Sequence, residues 1–363
     1  MTLHLYFARR FGVMFLAVGG SVTLFVALLD LIEQVRAAES GVTFRQVVGL
    51  TLLNLPSGLY EFLPLIVILA AIALFLGLAR SSELVVTRAA GRSGLAALIG
   101  PVLVAALIGA LAVAVLNPLV AATSTRYAEL RESYEGGGSV LSIGREGLWL
   151  RQGDAGGQTV IRATRTNPEA TVLYDVSFVE YAPSGGPERR IDARRAELRD
   201  GAWDLSEVKV WPLGPGINPE ARAERAERLS LSSSLTQERI RDSFGKPSAV
   251  AVWRLPDFIG QLEEAGFSAR RHAVWLQMEL ARPLFLVSLV IVAAGFTMRH
   301  PRAGRAGPYV LAAVLLGFGL HYIRNFAQIL GETGQITPWV AGWTPPVAAL
   351  LLAMGLILHR EEG

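Results

Sequence analysis

The sequence contains no cysteine, and that one absence removes disulfide staples, thiolate metal sites and cysteine nucleophiles together. Lysine is nearly missing as well: of 34 basic residues only Lys209 and Lys246 are lysine. No Lys/Arg-rich run with interleaved aromatics occurs, so the chain carries no nucleic-acid footprint. A phosphate-binding loop is absent, because Gly245-Lys246 is followed by Pro247 and the glycine required five positions before Gly245 is Ile240. Any ATP used with this protein is hydrolysed by another chain. The five histidines, His4, His272, His300, His321 and His359, are scattered and form no His-Glu-x-x-His pattern. The serines near Leu229 to Leu235 lack a Gly-x-Ser-x-Gly elbow. Neither a metal site nor a hydrolase is expected.

What the chain has in quantity is apolar sequence. Of 363 residues 52% are hydrophobic, and the mean hydropathy is +0.40, which reads as a membrane protein. Phe11 to Leu29 is a charge-free run of 19 residues, close to the ~20 that a helix needs to cross a bilayer. It is too long for a signal-peptide core and is read as a retained first helix, followed by a mixed-charge loop over Asp30 to Arg45. Gln46 to Leu78, carrying Pro56, Glu61 and Pro64, is the second spanning unit, and Leu95 to Val120 the third. Trp275 to Met298, Ala306 to Ile323 and Trp339 to Leu358 complete six.

Between the third and fourth spans the composition changes. Residues 126 to 271 are polar and turn-rich, about the size of one domain. Leu141 to Arg151, Gln158 to Ala163, Thr171 to Tyr181, Arg189 to Leu198, Ala202 to Trp211 and Arg228 to Leu235 read as strands. The clearest is Thr171 to Phe178, where Val172, Tyr174, Val176 and Phe178 alternate on one face. Gly136-Gly137-Gly138, Gly156-Gly157 and Gly185-Gly186-Pro187 read as turns. A β-sandwich or jelly roll fits six short strands without intervening helices. Arg222 to Arg228 could be helical by propensity, and Leu255 to Ala265 is read as a short helix. The expected fold is therefore an α-helical membrane protein of six transmembrane helices with an inserted β-jellyroll-like domain: helices one to three over residues 1–125, the β-domain over 126–271, and helices four to six over 272–363.

Charge sets an expected orientation. With the N-terminus in the cytoplasm, the short cytoplasmic segments carry Arg9, Arg10, Arg80, Arg88, Arg92, Arg299, Arg302, Arg305 and Arg360, against Arg36, Arg45 and Arg324 opposite. The positive-inside rule then puts both termini in the cytoplasm and the β-domain outside. Arg80 to Gly94 becomes a polar island on the cytoplasmic face. Ser81 is expected to cap a helix with Glu83 in its first turn, Arg88 near its last and Gly91 as its stop. About ten residues long, or roughly 15 Å, over 81–91, that helix cannot span and would lie along the surface. It is either an ordinary turn or a handle for a soluble partner.

Ionisable groups in or beside the spans are the remaining candidates, since charge in hydrocarbon usually faces a cavity or a partner. Glu279 and Arg282, three residues apart, could pair with each other. His321 and Arg324 are either interfacial anchors or part of a binding surface. Arg126 and Arg131, after the third helix, could receive a phosphate or carboxylate, or could snorkel.

The island resembles the coupling helix of the LptF/LptG permease family. Ser82-Glu83-Leu84-Val85-Val86 with Arg88-Ala89-Ala90-Gly91 is close to that family's most specific string. Leu55-Pro56, Tyr60-Glu61 and Pro64 are similar to its second helix, and Gly137-Gly138-Ser139 and Gly147-Leu148-Trp149 extend the match over nearly the whole chain. Glu-Leu-Val-Val is nearer the LptG branch than the LptF one. The resemblance implies a permease subunit of an ABC transporter that extracts lipopolysaccharide from a Gram-negative inner membrane and passes it to a periplasmic bridge for outer-membrane assembly. The implied partners are a paralogous permease in a heterodimer, an LptB-like ATPase dimer that uses the ATP and Mg, and LptC/LptA-like bridge proteins. The resemblance implies no cofactor bound by this chain itself. Glu83, Leu84, Arg88, Ala89, Ala90 and Gly91 are implied to couple to the ATPase, with Glu83 as the contacting acid. Arg131, Arg126, Arg36, His321 and Arg324 are candidates for the substrate. Asp30 stands where some relatives carry lysine, a reversal that leaves Arg36 as the substitute. The alternatives are the LptF half of the same transporter and a non-transporting scaffold that recruits periplasmic proteins.

Overall fold

The computed structural model describes residues 2–37, 43–89, 91, 94–135, 141–144, 147–154, 157–167, 171–182, 186–199, 201–214, 218–233, 246–264, 267–298 and 306–361. They form two compact units. One takes Met1–Glu135, Ser248–Leu255 and Arg270–Gly363, the other Gly136–Pro247 and Pro256–Ala269.

The first unit is helical. Its members are α1 (Thr2–Ala37), α2 (Phe44–Arg80), the short α3 (Glu83–Ala89), α4 (Gly94–Leu111) and α5 (Asn117–Glu135), with one π-helical turn, Ala112–Leu116, between the last two. A helix labelled α6 (Leu255–Glu264) follows the β-strands, and α7 (Arg270–Leu280), α8 (Arg282–Thr297), α9 (Ala306–Glu332) and α10 (Pro338–Glu361) end the chain. Among the described residues five helices are long and apolar enough to cross a membrane, and α7 with α8, bent by 49°, makes up to six. α2 and α8 are the interior: Val67, Ala71, Phe75 and Leu78 pack with Phe285, Leu289, Val290 and Ala293 in one cluster. The most apolar window of α2 is 67% buried and that of α1 only 6%, so α1 stands at the periphery of the helical unit. Small residues let the helices close up, as packing between apolar helices in lipid requires. A Cβ at Gly109 would lie 2.5 Å from the Cα of Pro283, and one at Gly100 would collide with the carbonyl of His4.

Several helix ends differ from the sequence reading. α1 runs through the expected loop to Ala37 because its polar residues find partners: Asn54 Nδ2 donates to Asp30 at 2.6 Å, and Gln34 Nε2 to the Tyr127 hydroxyl at 2.7 Å. α2 continues unbroken through Pro56 and Pro64. The expected single helix over Trp275 to Met298 is broken at Ala281, since Pro283 has no N–H to offer the Glu279 carbonyl. The π-turn leaves the Ala114 carbonyl free to accept from Trp253 Nε1, at 3.3 Å, and the Asn117 side chain accepts the Val252 amide at 2.8 Å.

The second unit is a seven-stranded antiparallel sheet in chain order: β1 (Leu141–Gly144), β2 (Gly147–Asp154), β3 (Gly157–Thr166), β4 (Val172–Tyr181), β5 (Pro187–Arg199), β6 (Ala202–Pro212) and β7 (Glu224–Ser232). The choice between sandwich and jelly roll resolves, in the described strands, to this one meandering sheet. The register aligns Leu150, Ile161, Phe178 and Ile191 across four strands. That face is covered by Phe258 and Leu262 of α6 and by Phe267. The stretch expected as one strand from Leu141 to Arg151 is a hairpin, and the ambiguous Arg222 to Arg228 is one 3-10 turn followed by β7. The glycine turn at 136–138 and the ends of strands and loops near 156, 185 and 235 fall outside the described residues, as does the stop of α6 at 265–266.

Candidate functional site

The coupling-helix candidate α3 has seven residues, about 10 Å at 1.5 Å per residue, and is shorter than expected. Ser81 does not open it: its amide bonds back to the Gly77 carbonyl, closing α2. Ser82 opens it instead, at φ +59°, with its carbonyl accepting the amides of Val85 and Val86 at 3.1 Å. Gly91 follows at φ +76°, where a side chain would be strained. Leu84 and Thr87 turn inward and are buried, Leu84 within the main core, while Val85 and Val86 are 48% and 67% exposed. Ala89 is exposed too. Ala90 and the Arg88 side chain lie outside the described residues.

Glu83 is not a free acid. Its two oxygens take Arg10 Nη1 at 2.6 and 2.7 Å, Oε1 takes the Ser81 hydroxyl at 2.7 Å and Oε2 the Tyr6 hydroxyl at 2.9 Å. Arg10 also donates to the Tyr6 oxygen at 2.7 Å. Burial alone would push the Glu83 carboxyl up, but the hydrogen bonds from Arg10, Ser81 and Tyr6, with the Arg10 charge, hold it below its ordinary value. A folded-state pKa below the unfolded one stabilises the protein above the unfolded value, about 4.3 for Glu. That contribution is lost as pH falls through the folded value. The melting temperatures of wild type and Glu83→Gln should therefore differ at pH 7 and converge as pH drops below ~4. A gap unchanged at acid pH would mean that the carboxylate charge is not what holds this contact.

The candidate substrate residues divide into two groups. In the first, Arg131 Nη1 donates to the Tyr127 hydroxyl at 3.3 Å, the same oxygen that receives Gln34 from α1. Arg126 pairs with Glu129 at 2.9 Å with both side chains more than half exposed, and Arg36 ends α1 in an exposed position. In the second, His321 lies 3.2 Å from the Asn325 amide nitrogen, and Arg324 is buried 5.4 Å from the Phe285 ring centre. Among the described residues Arg324 Nη2 has no hydrogen-bond partner. His321 and Glu61 share the rim of a cavity of about 100 Å³ with Phe62, Leu65 and Leu289.

Beside Arg324 sits a fully buried ionic cluster. Arg282 donates to both oxygens of Glu279, at 2.6 and 3.0 Å, and its guanidinium lies 3.9 Å from the centre of the Tyr60 ring. The Tyr60 hydroxyl donates to the same carboxylate. The Glu279–Arg282 pair was legible from spacing. Tyr60, 219 residues from Glu279, was not, and Arg10 was legible only as a topology charge.

A larger cavity, of about 550 Å³, opens between α1, α2 and the π-turn. Phe15, Gly19, Leu63, Leu111, Val115 and Leu119 line it, and no lining residue is charged. Such a space suits hydrocarbon chains. Among the described residues no group of three or more His, Asp or Glu could hold a metal ion.

A family model described as lipopolysaccharide export system permease LptF/LptG matches residues 5–359. The chain is 23% identical over 346 residues to the lipopolysaccharide export system permease protein LptG of Haemophilus influenzae, covering 93% of this chain and 92% of that one. It is 21% identical over 346 residues to the protein of the same name in Escherichia coli K12, covering 92% and 91%.

Proposed function

Since this chain belongs to the LptF/LptG family of lipopolysaccharide export permeases, we propose that it is one half of a permease in which a separate ATPase grips α3 and drives the glycolipid out of the bilayer. It is a multi-pass membrane protein. The observation that carries the reading is α3 itself: a short helix between two spanning helices, with Leu84 anchored in the core and Val85 and Val86 facing out. A handle must be fixed on one side and free on the other. The apolar cavity beside α1 would take acyl chains, and Arg131, Arg126 and Arg36 near the far ends of α5 and α1 would meet phosphates through charge-assisted hydrogen bonds. His321 and Arg324 would serve the same substrate from α9.

The family likeness favours a Gram-negative inner-membrane location, and within it the arginine distribution favours both termini cytoplasmic and the β-unit periplasmic. The assembly proposed is a heterodimer with a paralogous permease, an LptB-like ATPase dimer carrying the ATP and Mg, and an LptC/LptA-like bridge receiving the lipid. The likeness to two proteins named LptG favours the LptG half over the LptF half.

The test is co-purification of the tagged full chain with a paralogous permease and an ATPase, followed by ATP hydrolysis with and without lipopolysaccharide. Val86→Glu, on the exposed side of α3, should remove most of the ATPase while leaving the unfolding free energy unchanged within the ~0.5 kcal/mol typical of surface substitutions. An ATPase that stays bound to Val86→Glu, or hydrolysis indifferent to lipopolysaccharide, would leave the scaffold alternative standing.

A further inference from the structure

One turn of the third span serves two surfaces. The π-turn Ala112–Leu116 lies between α4 and α5. On one side Leu111, Ala112, Val115, Leu116 and Leu119 line the 550 Å³ cavity. On the other, Val113 packs with Val252 and Leu255 in a small buried cluster of its own.

The sequence explains why this turn needs partners from outside it. In a regular α-helix the Ala114 carbonyl would take the amide of residue 118, but residue 118 is proline and has no N–H to give. Trp253 Nε1 supplies a donor in its place at 3.3 Å. Beside the proline, Asn117 is 1% exposed, a polar side chain sealed inside an apolar span. Its oxygen accepts the Val252 amide at 2.8 Å, and the same side chain meets the Tyr60 hydroxyl on α2. The segment that brings both donors is tightly folded, its Ala251 carbonyl accepting the amides of Arg254 and Leu255 at 2.8 and 3.2 Å. Trp253 leaves its ring 64% exposed, so its place is set by the bond rather than by burial.

A π-turn carries one residue more than the α-turn it replaces. Were it to close into an α-turn, α5 would rotate by about 100° and shift by about 1.5 Å against α4. The stretch from Val115 to Leu119 would then turn different side chains toward the cavity. We propose that Asn117 and Trp253 clasp the π-turn and so set the shape of the cavity, which makes Asn117 a positioning residue for the hydrocarbon chains the cavity accepts. The property fixed by the clasp is a preference for chain length. Each methylene buried raises affinity by about fourfold, so a wall displaced by the width of a side chain changes which chain fills the space.

This inference rests on the reading of that cavity as the acyl-chain space, and two measurements keep the claims apart. The chain has no cysteine, so Leu16→Cys and Val115→Cys, both exposed and both on the cavity lining, take nitroxide labels on the full chain without background. Asn117→Ala combined with Pro118→Ala opens the clasp and returns the missing amide. The label separation should then change by about 3.5 Å, the displacement of a Cα on a helix of ~2.3 Å radius turned through ~100°. The second measurement uses vesicles holding the full permease with its ATPase and a lipopolysaccharide series whose acyl chains differ by two-carbon steps. The preferred length should move by one step in the double variant, with the release ratio of neighbouring lengths changed by about tenfold. Trp253→Phe keeps the ring, leaves Tyr60 untouched and gives up only the bond to Ala114. It should move both readouts in the same direction by a smaller amount, and it carries the test if the double variant folds poorly. A label separation equal to that of the labelled parent, or release lowered equally at every chain length, would overturn the proposal, because the bonds would then serve stability alone. Should the wild-type complex release no lipopolysaccharide of any length, the functional reading fails, and the clasp stands or falls on the label separation.

Discussion

Replacing Arg282 with methionine is expected to destabilise the helical unit by about 3–5 kcal/mol, the usual cost of removing one member of a buried ion pair. Glu279 is 0% and Arg282 4% exposed. With the guanidinium gone, the Glu279 carboxylate keeps the Tyr60 hydroxyl but loses two charge-assisted bonds. The ring of Tyr60 loses the cation lying on it. Adding Glu279→Gln to Arg282→Met should regain part of the loss, since the uncompensated charge disappears with it. Thermal unfolding of the full chain in detergent measures both. A single Arg282→Met variant that melts with wild type would show that the pair has no structural weight.

In the β-unit the largest effect is expected at Trp203, which is 0% exposed and meets Phe178 edge-on at 6.2 Å. Trp203→Ala should cost about 3–5 kcal/mol through lost burial and the void left behind. Trp203→Phe should cost much less, because among the described residues the indole Nε1 has no hydrogen-bond partner to lose. Removing an unpaired buried donor offsets some of the missing volume. Protease resistance of the strand-bearing unit within the full chain, followed against temperature, ranks the two. Equal losses would mean that the nitrogen is held by something outside the described residues.

Both predictions turn on partners far apart in the chain, and so do the places where sequence reasoning stopped short. Asp30 read as loop because a carboxylate ends an apolar run, yet its bond from Asn54 lets α1 continue. Ser81 read as a helix cap because serine favours that position, but here it closes the preceding helix and leaves the cap to Ser82 in a left-handed conformation. The break between α7 and α8 was visible in principle: Pro283 sits inside the apolar run, and weighing its missing N–H would have found it. Tyr60 entered only through the second-helix likeness and Arg10 only as a topology charge, since neither spacing nor charge points to its partner until its neighbour is known.

Apolar length, alternation of side chains along strands and the count of arginines are properties of the chain itself. They sufficed to determine a multi-span membrane protein with an inserted β-unit and a short helix after the second span, because bilayer thickness and backbone hydrogen bonding admit few alternatives. Which carboxylate meets which guanidinium is a matter of distance in space. Only the packed helices could decide that Glu83 faces Arg10 across 73 residues and that Glu279 holds Tyr60 and Arg282 together.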